Sequence, residues 1–130
     1  MGYTSTIEGE FAIEPPLTYS EMQQLNFLTK SQARSIGASI CVHVDKREVE
    51  TQEGILTKTE GVAIGDAWGG EAVKRYDIVN EIQSIINAFP GHEFSGCIEG
   101  FGEETGDLWR LYVVDRKVKR VEPQIVWPKP

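Results

Sequence analysis

This sequence is poor in the residues that carry out chemistry. Two of its 130 residues are cysteine and two are histidine. There is no CxxC, no HExxH, no GxGxxG and no GK[ST], so zinc, dinucleotide and P-loop chemistries have no motif to stand on. No Ser/His/Asp or Cys/His arrangement marks a nucleophile. No apolar run approaches the ~18 residues a membrane-spanning helix needs. Positive charge is also scarce: 13 basic residues stand against 20 acidic ones, a net charge of −7. That balance argues against direct binding of DNA, RNA or anionic lipid, whose surfaces need a positive field. The start "MGYTSTIEGEFAIEPP" lacks the basic and apolar regions of a secretory signal. With no export signal, Cys41 and Cys97 read as reduced thiols, and the expected location is the cytoplasm. Gly2 and Thr6 meet part of the myristoylation pattern, but Thr6 falls in a strand-like stretch, which argues against lipidation.

What is present suits one ordinary domain spanning residues 1–130. Hydrophobic residues make up 40% and charged residues 25%, average values for a globular chain. A chain of this length buries roughly two-thirds of its unfolded surface, enough for a core without staples.

Residues 3–14 alternate cleanly, with Tyr3, Ser5, Ile7, Gly9, Phe11 and Ile13 on one face. Period two with one polar face predicts a half-buried strand, ended by Pro15-Pro16. Thr18 and Glu21 fit a capping box, which predicts a short helix to about Phe27 or Thr29. "TKSQARSIGAS" reads as a polar connection. "SICVHVDKREVET", with Ile40, Val42 and Val44 inward, and "ILTKTEGVAI" predict a hairpin turning at 52–54. Over 72–89, Val73, Tyr76, Val79, Ile82, Ile85, Ile86 and Phe89 recur every three or four residues, the strongest helix signal in the chain. Pro90-Gly91 stops it. "HEFSGCIEGF", "LWRLYVVD" and "VKRVEPQIVW" predict three closing strands.

The order strand, helix, strand, strand, helix, strand, then two strands predicts an α+β fold. We expect an antiparallel-rich sheet of five or six strands with two helices on one face. Its core would be ferredoxin-like (a split β-α-β) with a C-terminal strand extension.

The carboxylates Glu99, Glu103, Glu104 and Asp107 fall within nine residues. Keeping Ile98 on the face of Leu111 and Val113 pairs Ile98 with Leu111, Gly100 with Trp109 and Gly96 with Val113. Residues 102–107 then form the loop. Calcium loops need oxygens at alternating positions and a downstream bidentate Glu, a spacing absent here. Acid–base work would need a cleft to separate two pKa values, and a loop tip has none. Neither metal nor cofactor is expected. The next hairpin is expected to pair Leu111 with Val121 and Arg110 with Glu122, leaving a turn at 115–117. The basic run Arg116, Lys117, Lys119 and Arg120 reads as a solvated tip. Cys41 and His43 alternate on one strand, Cys97 and Glu99 on another, a zinc-like set. The topology keeps them apart. "GVAIGDAWGGEAVKR" resembles a phosphate-binding turn, but Asp66 and Glu71 would repel an anion. Trp68, among its glycines, either folds back on the core or anchors a partner.

At "PPLTYSEM", "FPGHEFSG", "GEETGDLWRL" and "IVWP" the chain resembles a family of small acidic proteins of unknown function from actinobacteria and their phages. The resemblance runs from the "MGY" start to the terminal "VWP", with the segment from about 28 to 60 less matched. It carries over no catalytic residue. It implies a bacterial or phage cytoplasm and a phage-encoded accessory role.

The expected function is therefore a protein-binding module that modulates a host or defence protein, without catalysis. One alternative is an acidic mimic of nucleic acid blocking a DNA-binding defence enzyme. The other is a small ligand-binding protein or hydrolase. Candidate partner contacts are Trp68, Glu99, Glu103, Glu104, Asp107, Arg110 and Tyr112. The sheet face opposite the helices should carry Glu8, Glu10, Cys97, Glu99, Arg110 and Tyr112. Such a face suits a protein interface better than a pocket. A homodimer through the last strand, "PQIVW", is a further outlet.

Overall fold

A computed structural model describes residues 3–25 and 29–129 of the chain. The alternating N-terminal stretch is β1 (Ser5–Leu17), with Ile7, Phe11, Ile13 and Leu17 buried. The strand continues past Pro15-Pro16, where the sequence predicted an end. Its ladder with its inner neighbour shifts register between Ala12 and Leu17, so neither proline is asked for an amide.

Thr18 caps α1 (Tyr19–Met22) through the predicted box: its hydroxyl accepts from Glu21 N at 3.2 Å, and Glu21 Oε1 accepts from Thr18 N at 3.1 Å. The helix stops at Met22, short of the expected end; Phe27 lies outside the described residues. Thr29 opens a second helix, α2 (Lys30–Ile36), through its own box with Gln32. Gly37 ends it at φ 75°, a left-handed cap glycine adopts without strain. The segment read as a connection is therefore a helix.

The strands β2 (Ile40–Thr51) and β3 (Gly54–Asp66) form a long hairpin. Its inner half carries buried Ile40, Val42 and Ile64. Val44, expected inward, is 40% exposed, because the register shifts between His43 and Val44. β1 pairs with β3 only as far as Gly61. The outer half, 45–60, is a two-stranded ribbon that pairs with no third strand among the described residues, and Ile55 and Leu56 on it are exposed.

The helix α3 (Ile78–Ala88) lays Ile78, Ile82, Ile85 and Ile86 on the core. It starts at Ile78 rather than at Ala72, for Val73 instead bridges Ser5 and Tyr76 is 72% exposed. β4 (Glu93–Gly102), β5 (Leu108–Val114) and β6 (Lys117–Val121) complete the sheet.

The result is an α+β structure in which strands dominate: six strands in the order β2-β3-β1-β4-β5-β6, with every neighbouring pair antiparallel. Met22 of α1 and the isoleucines of α3 join one cluster with Phe11, Ile98, Trp109 and Leu111. Ala33 of α2 instead meets Ala38, Cys41 and Ala67 in a separate small cluster. No helix among the described residues is long and apolar enough to cross a membrane.

The β4–β5 register pairs Ile98 with Leu111 and Gly100 with Trp109, as predicted. A Cβ on Gly100 would fall 2.0 Å from the indole, so the missing side chain makes room for the ring. The ladder begins at Cys97, and Gly96 turns to β1 opposite Phe11 rather than to Val113. The β5–β6 hairpin is one residue out from the expected register. Arg110 faces Val121 and Leu111 faces Arg120, across a two-residue turn of Asp115 (φ 50°) and Arg116 (φ 64°). Two positive φ values match the twist a two-residue hairpin needs. Arg116 is held there: its guanidinium donates to the carbonyls of His92 (2.5 Å), Ile86 (2.6 Å) and Phe89 (3.0 Å). This member of the basic run is a clamp on the end of α3 and not a solvated charge. β6 stops at Val121, so "PQIVW" is no edge strand; Ile125, Val126 and Trp127 are exposed and outside the sheet.

Candidate functional site

The acidic loop after β4 is occupied with the N-terminus. Glu103 Oε1 accepts from Thr4 N at 3.0 Å and from its hydroxyl at 2.6 Å. Those bonds hold the Glu103 carboxyl below its usual range. Asp107 accepts from the Tyr3 hydroxyl, pushing that phenol up, and the phenol oxygen itself accepts from Glu104 N at 3.2 Å. Glu103, Glu104 and Asp107 thus form a clasp over Tyr3 and Thr4. Among the described residues no three His, Cys, Asp or Glu side chains gather as a metal would require. The Cys41–His43 and Cys97–Glu99 pairs stay apart, since β3 and β1 lie between β2 and β4.

Trp68 folds back. It is half-buried, its indole Nε1 donates to the Ala38 carbonyl at 2.8 Å, and the Arg34 guanidinium lies 5.5 Å from its ring centre. The glycine-rich loop around it is organised by a residue that sequence reasoning missed. The Arg75 side chain, 2% exposed, pairs with Asp66 at 3.1 Å and donates to the Ser5, Ser39 and Glu71 carbonyls at 2.8–3.1 Å. Asp66 in turn accepts from the Trp68 and Gly70 amides. Burial lowers the Arg75 pKa and Asp66 opposes that. Beside this hub, burial raises the Glu81 carboxyl while it accepts from Ser39 N at 2.7 Å. His92, also missed, ties α1 to the end of β1: Nε2 lies 2.7 Å from Glu21 and Nδ1 2.5 Å from the Pro15 carbonyl. Nothing in one sequence separates these from surface residues, because all but one of their partners lie 9 to 77 positions away.

Cys41 is not primed as a nucleophile by its surroundings. Burial pushes the Cys41 thiol up to about 11, which leaves little thiolate near neutral pH. Cys97 is half-buried in the open sheet face. A cleft of about 510 Å³ lies between α1 and the ribbon and is lined by Thr18–Ser20 and Thr57–Glu60. Its lining offers hydroxyls but no histidine or cysteine.

The bare face of the sheet brings the other predicted residues together. Two rows cross four strands: Glu8, Glu99, Arg110 and Val121, then Glu10, Cys97, Tyr112 and Lys119. Arg110 Nε lies 3.0 Å from Glu99 Oε1, and its Nη1 donates to the Tyr112 hydroxyl at 3.4 Å. On the other flank His43 Nδ1 reaches Glu10 at 3.3 Å. Two carboxylate pairs stand directly opposite one another on β1 and β4, Glu8 with Glu99 and Glu14 with Glu93. Like charges so placed weaken a ladder. Leu108, Val114 and Val121 are exposed beside them. The arrangement is flat, charged and partly apolar: acid on β1 and β4, and Arg110, Lys117 and Lys119 on β5 and β6. Such a surface can recognise, and at its β5–β6 side Leu108, Arg110, Tyr112 and Val121 line a cleft of about 310 Å³ with residues 122–124.

No protein of curated function and no solved structure matches this chain. Its whole length, residues 1–130, matches a family described only as a family of unknown function, DUF6205. The chain belongs to that family.

Proposed function

We propose that this chain is one α+β domain that binds a protein through the bare face of its sheet, without catalysis. The strand order β2-β3-β1-β4, with helices between β1 and β2 and between β3 and β4, supports reading its core as ferredoxin-like. The observation that carries the binding reading is the pair of opposed carboxylates beside exposed Leu108, Val114 and Val121. A face kept like-charged across its ladder gains most when cations of a partner cover it. The resemblance to proteins of actinobacteria and their phages supports a cytoplasmic, phage-encoded modulator of a host or defence protein.

The five carboxylates of β1 and β4 (Glu8, Glu10, Glu14, Glu93, Glu99) favour a second reading, mimicry of nucleic acid. Residues 8–14 span ~20 Å of strand, over which a duplex presents about 12 charges. Five carboxylates beside Arg110, Lys117 and Lys119 fall well short, so the protein partner is preferred.

The test is a photo-crosslinking residue at Tyr112 on the bare face, with Tyr19 on α1 as control, in cells that carry the gene. Protein adducts from position 112 and not from 19 support the reading. Equal labelling from both, or none from 112, would overturn it.

A further inference from the structure

We infer that the protein fitting this face is a second copy of the same chain. The inference rests on the reading of the face as a binding surface and goes beyond it by naming the occupant. It follows from how the charges lie across the four strands β1, β4, β5 and β6. The β1–β4 half is acidic, while the β5–β6 half carries Arg110, Lys117 and Lys119. A two-fold axis parallel to the strands, between β4 and β5, lays β1 of one copy over β6 of the other. It also keeps each row at its own height.

The strand registers then decide what meets what. In one row Glu10 comes over Lys119 of the second copy, and Cys97 over its Tyr112. In the next row Glu99 comes over Arg110, joining the intrachain pair at 3.0 Å into a four-membered charge network. Val121 meets the stem of Glu8. The Glu10–Lys119 and Glu99–Arg110 contacts are each made twice by one operation, as an isologous contact requires. A single-sign face would repel itself; this one is divided down its middle.

Size sets the strength. Four strands at ~4.8 Å spacing and about six residues at ~3.4 Å give a footprint of ~400 Å² per copy. That is ~800 Å² in total, below the ~1,200 Å² of stable specific interfaces and in the range of weak, transient contacts. The dimer is therefore weak and depends on salt more than an apolar one would.

Sedimentation equilibrium of the full chain tests this. At low salt a dimer is expected, with a dissociation constant that rises about tenfold when ionic strength is raised. Glu10→Lys and Lys119→Glu should each weaken it about tenfold, and the two together should recover most of the loss. Both residues are exposed, and circular dichroism verifies that each variant is folded. A chain that stays monomeric near ~1 mM at low salt overturns the inference, as does a dimer indifferent to both reversals. A monomer whose residue 112 still crosslinks a different protein overturns the second copy and leaves the binding face standing. A monomer with no adduct at 112 removes both.

Discussion

The two faces of this sheet are made by the same strands, one residue out of step, and they obey different rules. Ile98 is fully buried against α3's side of the molecule, while its neighbours Cys97 and Glu99 stand half-open on the other. On the covered face, shape decides: Gly100 yields its side-chain space to Trp109, and four isoleucines of α3 close the layer. On the bare face, charges oppose one another at Glu8/Glu99 and Glu14/Glu93, which no folding requirement explains. The covered face supplies the stability that lets the bare one keep an unfavourable pattern.

The contrast can be broken in order of effect. Ile82→Asp puts a lone carboxylate under α3 and should cost about 4 kcal/mol or more, enough to unfold a marginal domain. A thermal melt indistinguishable from the parent would show that α3 does not close the core. Gly100→Ala drives a methyl into the Trp109 ring and should cost about 2 kcal/mol by overpacking, read as a lower denaturant midpoint at unchanged slope.

Glu21 sharpens the boundary between the faces. Its carboxyl is held below the ordinary 4.5, first by the Thr18 amide, with His92 also lowering it. A depressed carboxylate contributes stability that is present above 4.5 and lost as pH falls through its folded value. Glu21→Gln should therefore flatten that acid limb in melts recorded from about pH 6 down to 3 and cost about 1 kcal/mol at neutral pH. An acid limb as steep as the parent's would rule out this carboxylate. The smallest effect has the opposite sign: Glu8→Gln removes a repulsion with Glu99 and should raise stability by a few tenths of a kcal/mol. Destabilisation would mean the opposed carboxylates are held by contacts other than their ladder.

Where physics is local, it could be read in advance. Alternation in β1 and the Ile98–Leu111 register follow from which side chains must be inside, so the composition of the bare face came with them. α2 escaped although Thr29, Gln32 and Gly37 carry the same capping signals as Thr18 and Glu21, because its segment buries only Ala33 and shows no apolar stripe. The β5–β6 register depends on Arg116 reaching the end of α3, and the 67–77 loop depends on Arg75. Both are long-range bonds to backbone carbonyls, which leave no period in a sequence. The clasp of Glu103 and Asp107 over Tyr3 and Thr4 spans the chain's ends for the same reason.

The ribbon formed by residues 45–60 has one further consequence, for the rate at which amide protons trade with solvent. Its ladder is shared by two strands only, and most of its side chains are in water. Two strands without a third are marginal on their own. Deuterium should therefore enter the ribbon through brief local openings, while the amides between β1 and β4 wait for the whole domain to come apart. Labelling followed by mass analysis would divide this one hairpin in two near Gly61, where β3 loses its other neighbour.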